Sequence, residues 1–162
     1  MKSREEMLEP FDNKYALFGL FFAFGNQLQM AGDSFYEDIT CKQFFLLICL
    51  NLFQEESPTI KELSGVMGCS HQNVKQMALK LEKKGFIRME ADAGDRRKVR
   101  IYKTEKLDEY AKKNVDKEDG FMKYFFEGIS DEEISGTYKV MNKLEDNLEN
   151  IRRKMNEYNR GL

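Results

Sequence analysis

The chain is poor in the residues that metal and covalent chemistry use. It has one histidine, His71, and three cysteines, Cys41, Cys49 and Cys69, in 162 residues. A structural zinc site takes four thiolate or imidazole ligands in closely spaced pairs, and no such spacing is present. An odd number of cysteines argues against a disulfide framework. Unpaired thiols suit a reducing cytoplasm, where they act as small buried hydrophobes. No glycine-rich nucleotide loop and no paired metal ligands occur. The expectation is a protein that is not an enzyme and has no cofactor and no metal. Long apolar runs are also missing. The longest, Tyr15 to Gly25, has eleven residues where a membrane helix needs about 20, and no small-residue cleavage site follows it. It reads as a buried helix and implies no membrane partner. Two prolines and no repeat or low-complexity tract leave one domain's length, or one domain with an extension.

Net charge is low, at −2, but it is unevenly spread. Residues 58–103 hold eleven Lys or Arg against five Asp or Glu, a balance of +6, so the remainder carries −8. A basic centre between acidic flanks is the charge distribution of a nucleic-acid binder, hidden by an overall pI near 5.6.

The order of elements sharpens this. Phe11 to about Met30 reads as a Phe-rich helix buried on most sides, with Gly19, Ala23 and Gly25 allowing close approach of another helix. Ala31 to Asp38 reads as a loop. Thr40-x-x-Gln43 is a capping box, in which the threonine oxygen takes an orphan amide and the glutamine reaches back. The helix behind it is apolar all round and therefore central. Thr59-x-x-Glu62 opens a short helix, with Ile60, Leu63, Val66 and Met67 on one face, and Gly68 ends it. Ser70 caps the next helix, whose stripe Val74, Met77, Ala78 and Leu81 falls at i, i+3, i+4 and i+7. Gly85 stops it. Two short helices joined by Gly68-Cys69-Ser70 form a helix-turn-helix pattern. Alternation follows: Ile87 and Met89 face inward on one strand, Val99 and Ile101 on a second, with Lys98 and Arg100 outward. Asp92-Ala93-Gly94-Asp95 is the turn between them. A helix-turn-helix followed by a β-hairpin is a winged helix.

The last third is helical, from about Thr104 to Glu127 and again beyond the capping box Ser130-x-x-Glu133. Ile134, Tyr138, Met141, Leu144, Leu148, Ile151, Met155 and Tyr158 recur at steps of 3 and 4, the seam of a helix that pairs with another. The fold class is therefore mainly α with a small β-hairpin. Its parts are residues 1–38 as the N-terminal helical part of a dimerisation region, 39–103 as a winged helix-turn-helix DNA-binding domain, and 104–162 as the helices completing the dimerisation region.

The candidate DNA-binding residues lie in two groups. On the second helix of the helix-turn-helix, Ser70, His71, Gln72, Asn73, Lys75 and Gln76 are left outside the buried stripe at the N-terminal end. That is the end which enters the major groove in such proteins. Asn and Gln pair with adenine, and Lys reaches guanine or phosphate. On the hairpin, Arg96, Arg97 and Lys98 crowd the tip, and Asp95 is placed to hold an arginine by a carboxylate fork. An arginine on a narrow hairpin suits the minor groove of A·T tracts. Each group alone also fits a solvated face or a solubilising strand edge. Side by side, in this order, they point to DNA.

The stretch from Thr40 to Lys106 resembles the MarR family of winged-helix transcription regulators. The capped helix, the helix-turn-helix, LEKKGFI (Leu81 to Ile87), DRR (Asp95 to Arg97) and TEK (Thr104 to Lys106) fall in that family's register without a gap. The resemblance implies a homodimer whose terminal helices interleave, gripping a palindromic operator with two winged-helix lobes. It further implies Asp95 and Arg97 as the wing pair, with Arg97 in the minor groove. It also implies a repressor released by a small aromatic or other apolar effector, or by cysteine oxidation. Met89, Glu90, Gln76 and Leu107 depart from the family's usual residues. A redox-responsive regulator, or a winged helix serving protein contacts alone, are the competing readings.

Overall fold

The structure, a computed structural model, describes residues 10–160. Among the described residues it holds six helices and a two-stranded hairpin: α1 (Asn13–Phe35), α2 (Cys41–Leu50), α3 (Ile60–Met67), α4 (His71–Lys83), β1 (Ile87–Ala91), β2 (Val99–Lys103), α5 (Glu105–Phe125) and α6 (Asp131–Arg160). It divides into two compact units, residues up to 112 and residues from 113 onward. Residues 1–9 and 161–162, the extremes of the expected dimerisation region, lie outside the described residues.

The first unit is organised by its caps. Thr40 accepts the Gln43 amide at 3.2 Å while the Gln43 side chain accepts the Thr40 amide at 3.1 Å. The same reciprocal pair joins Thr59 and Glu62, at 3.2 and 2.7 Å. Satisfying two orphan amides at once fixes where each helix starts. Gly68 (φ +63°) and Gly85 (φ +79°) adopt the left-handed conformation that ends α3 and precedes the wing, a region costly for any residue with a Cβ. Helices α2, α3 and α4 pack on one another, α4 packs on β1 and α3 on β2. Leu46, Leu50, Leu63, Val74, Ala78, Leu81, Ile87 and Ile101 are all within 2% of complete burial and form the centre of this core. Val66, expected on the buried face of α3, is exposed instead. The stripe of an eight-residue helix is only two turns long, and in its last turn Met67, not Val66, packs against the core.

The strands pair antiparallel in the register Ile87↔Lys103 to Ala91↔Val99. The hairpin is anchored on the connector before α3, where Ile101 donates its amide to the Pro58 carbonyl at 2.9 Å. Thr104 staples the entry of α5 back to the end of α4, its hydroxyl lying 2.7 Å from the Gly85 carbonyl and 2.9 Å from that of Phe86. Leu107, unusual after TEK, is buried in the core.

Two expectations about α1 are corrected. The helix does not give way to a loop at Ala31 but runs on to Phe35. Gly32 is there for contact, because a Cβ at that position would lie 2.5 Å from Cys41 Sγ, where α2 begins. Ser34 bonds back to the Met30 carbonyl, and the Cys41 amide donates to Asp33, which ties the end of α1 to the start of α2. Nor is α1 buried within this chain. Tyr15, Phe18, Phe22 and Met30 are each more than half exposed, and the space around Gly19 and Gly25 is empty. The apolar run is real, but much of it stays exposed among the described residues.

The second unit contains the cap Ser130–Glu133, in which Ser130 accepts the Glu133 amide and Glu133 accepts both the Ser130 amide and its hydroxyl. Helix α6 then runs for 30 residues with none buried. Its 3–4 stripe is present as sequence and bare as surface, with Tyr138, Leu148, Ile151, Met155 and Tyr158 each more than half exposed. No helix among the described residues is long and apolar enough to cross a membrane.

Candidate nucleic-acid interface

The helix-turn-helix presents its polar face as the stripe predicts. Ser70, His71, Gln72, Asn73, Lys75 and Gln76 are all exposed at the N-terminal end of α4, while Val74 and Ala78 are fully buried. The Ser70 oxygen is already committed, accepting the Asn73 amide at 3.2 Å as the helix cap. Its hydroxyl hydrogen remains to donate.

The wing tip is built on two aspartates. Asp92 is buried, and one of its oxygens accepts the amides of Gly94 at 2.9 Å and Asp95 at 2.8 Å. This closes the turn from inside, an Asx-type bond that Asp forms readily. Asp95 then forks Arg97, accepting from Nε at 3.0 Å and Nη2 at 3.3 Å, and also accepts the Arg97 amide at 3.2 Å. Yet the Arg97 side chain is 91% exposed. The guanidinium is held by its base and projected outward. The Arg97 side chain and amide hold the Asp95 carboxyl below the usual carboxylate range, and Arg100 together with the turn amides does the same for Asp92. Arg96 and Lys98 are exposed beside it.

Helix and wing meet across one cleft of about 650 Å³. His71 and Lys75 line it from α4, Arg97 and Lys98 from the wing, and Lys61 from α3. Four of the residues expected from sequence are thus brought to one concavity. Ser70, Gln72, Asn73, Gln76 and Arg96 stand on the exposed surface outside it. Lys61 was not among the expected residues. The signal available was its place two residues after a capping threonine, which puts it on the first turn of α3.

Arg100 corrects the reading of β2. Alternation places it outward with Lys98, but its side chain is only 18% exposed. Nε bonds Asp92, Nη1 reaches the Ser57 carbonyl at 2.6 Å, and Nη2 reaches Glu56 at 2.8 Å. A two-residue period gives the face of a strand, but not whether something folds over that face. Other cations are also spent inside the chain. Arg88 pairs with Glu90 and lies over the Tyr102 ring, 4.6 Å from its centre. Lys103 bonds Asn51 at 3.1 Å, and Lys84 bonds the Asp38 carbonyl.

Cys69 lies in the helix-turn-helix turn, directly before Ser70. Cys49 is buried, and Cys41 and Cys69 are half-buried. Burial pushes the Cys41 and Cys49 thiols up, away from the reactive thiolate.

A capped helix pair with a forked hairpin beside it defines a winged helix-turn-helix module. Residues 39–99 match the model of the MarR family, within the stretch Thr40 to Lys106 that resembles it in sequence. Solved structures share the fold beyond that segment. A MarR/EmrR family transcriptional regulator from Acinetobacter sp. ADP1 is 17% identical with a TM-score of 0.74, over 86% of this chain and 99% of that one. An organohalide-sensing RdhR transcriptional regulator in its 2,4-dichlorophenol-bound form is 19% identical with a TM-score of 0.72, over 86% and 83%. S. aureus MepR in complex with DNA is 22% identical with a TM-score of 0.70, over 85% and 98%. No curated protein sequence matches the chain.

Proposed function

We propose that the protein is a sequence-specific DNA-binding transcription regulator, a cytoplasmic repressor acting as a homodimer on a palindromic operator. Residues 39–103 bind DNA, and residues 1–38 and 104–162 serve dimerisation. The observation that carries this reading is the convergence of His71, Lys75, Arg97, Lys98 and Lys61 on one cleft, with Arg97 braced by Asp95 and still exposed. A solubilising strand edge has no use for a fixed guanidinium. A groove-reading one does, since a side chain already held in place loses less entropy on binding.

In this account the exposed end of α4 enters the major groove, where His71, Gln72, Asn73, Lys75 and Gln76 meet base edges and Ser70 donates to phosphate. Arg97 enters the minor groove, and Arg96, Lys98 and Lys61 meet phosphates on either side. The uncovered apolar faces of α1 and α6 support dimerisation, because soluble monomers rarely leave contiguous stripes of this kind in water. The dichlorophenol-bound relative supports a small aromatic effector as the releasing signal.

Selection of bound fragments from the source genome, followed by fluorescence anisotropy on the recovered site, tests the proposal. A palindrome should emerge, with each mismatched base pair in a half-site weakening binding by about 1–3 kcal/mol. Equal affinity for every fragment, or none for any, overturns it and leaves the winged helix as a protein-contact module.

A further inference from the structure

The expected DNA residues do not include the most heavily bonded cation of the wing. Arg100 fills its guanidinium fork with three different partners: Asp92 at the start of the turn, and Glu56 and the Ser57 carbonyl on the connector between α2 and α3. Next to it, the same connector contributes the Pro58 carbonyl to the Ile101 amide and a bridge between Thr59 and Arg100. Thr59 is also the cap of α3, so the connector is rigidly joined to the helix-turn-helix.

The bonds run on toward the tip. Asp92, held by Arg100, receives the amides of Gly94 and Asp95, and Asp95 in turn forks Arg97. Each step is short, and no buried side-chain nitrogen or oxygen among the described residues lacks a partner. We infer that Arg100 is a positioning residue: with Asp92 it fixes the wing tip against the connector, and so sets where Arg97 stands relative to α4. It does not itself contact DNA. This rests on the function proposed above for its consequence at DNA, but the positional claim stands on the protein alone.

The chemistry of the pair explains why arginine is used. Three acceptors lie around one plane, and a planar fork with five N–H donors reaches all three, whereas a lysine ammonium would be a point charge among them. The charge is also cancelled locally, since Asp92 and Glu56 both lie against it. Arg100 therefore adds little to the field that phosphates feel.

Two variants test the inference, Arg100→Gln and Asp92→Asn. The second keeps an oxygen for the turn amides and puts an NH2 donor in place of the oxygen that Arg100 bonds, so both that bond and its charge are lost. Without DNA, amide exchange at Gly94, Asp95 and Lys98 should quicken in both variants, while amides of α4 stay protected. Arg97→Ala should leave those wing amides nearly unchanged. With DNA, Arg100→Gln should weaken the specific site roughly tenfold and leave the salt slope on non-specific DNA unchanged, because no phosphate contact is lost. In an Arg97→Ala background the same substitution should cost almost nothing, since a positioning residue has nothing left to position. Arg100→Lys should not rescue it. Unchanged wing exchange overturns the positional claim. A salt slope lower by about one ion makes Arg100 a direct phosphate ligand, and full additivity with Arg97→Ala makes it a generally structural residue. If wild-type protein binds no DNA, the functional proposal falls, and the exchange measurement alone decides the positional one.

Discussion

The winged-helix core and helix α6 use the same apolar pattern and meet opposite fates. In α4, the stripe Val74, Ala78 and Leu81 is completely buried by α2, α3 and β1. In α6, residues at equally regular spacing, Leu148, Ile151 and Met155, are each more than half exposed. Helix α1 belongs with α6 in this respect, although it lies in the first unit. A stripe records that a partner is required, and it says nothing about which chain supplies it. One region closes on itself, while the other leaves its stripe exposed among the described residues, a surface that the proposed homodimer would cover.

The sharpest break in that comparison comes from deleting a side chain in each region. Leu81→Ala empties a fully buried site and should cost about 2–5 kcal/mol in chemical denaturation, the range for large-to-small core changes. The loss should not depend on protein concentration if the core is closed within one chain. A concentration-dependent loss would mean that the winged helix, too, is completed by a partner.

The counterpart is Leu148→Glu, in the middle of the bare stripe. If a second copy covers it, roughly 1.5–3 kcal/mol of burial per chain is exchanged for a buried charge. Sedimentation velocity should then show the variant shifting toward 19.1 kDa while wild type stays at twice that mass. The wild-type melting temperature should rise with concentration, as for any fold stabilised by association. Wild type sedimenting as a monomer at micromolar concentration would refute the dimer.

At the wing, Arg97→Ala should weaken specific DNA by about 1–3 kcal/mol per half-site. Asp95→Ala should weaken it in the same direction although it removes a negative charge, because it releases the fork on Arg97. Charge counting predicts the reverse. Anisotropy at two salt concentrations, with a melt to confirm folding, separates the two. Tighter binding by a folded Asp95→Ala at both would reduce the wing to a diffuse basic surface.

Much of this was legible in the residues, for reasons that are local. Thr40 with Gln43, Thr59 with Glu62, and Ser130 with Glu133 form their caps because the partners are three residues apart and need no tertiary context. Gly68 and Gly85 mark left-handed positions for the same reason. The fork between Asp95 and Arg97 spans two residues and was equally accessible. What escaped depended on distant contacts. The stretch from Ala31 read as a loop, and the contact of Gly32 with Cys41 Sγ, nine positions away, was not visible locally. Arg100 looked like an outward cation because Glu56 and Ser57 are more than forty positions away in sequence. The exposure of α1 was invisible for a related reason, since periodicity carries no information about the neighbour, whereas α6 already read as a seam awaiting a partner.

The smallest effect contrasts the same cap in the two regions. Glu62 is held below the usual carboxylate range chiefly by the Thr59 amide, then by the Thr59 hydroxyl, with Arg100 and Lys98 pushing in the same direction. Glu133 is held low by the Ser130 hydroxyl and then its amide, with no cation contributing. Both groups have a folded pKa below the unfolded one. Each therefore contributes stability that is present above the ordinary glutamate value, near 4.5, and lost as pH falls through the depressed folded value. Carboxyl titration by NMR should show both below 4.5, and Ser130→Ala should return Glu133 toward it while leaving Glu62 unmoved. Raising the salt concentration should lift Glu62, whose neighbours include two cations, more than Glu133, whose partners are neutral dipoles. Equal salt responses would mean that Arg100 and Lys98 are too well compensated, by Asp92 and by solvent, to be felt at the cap of α3.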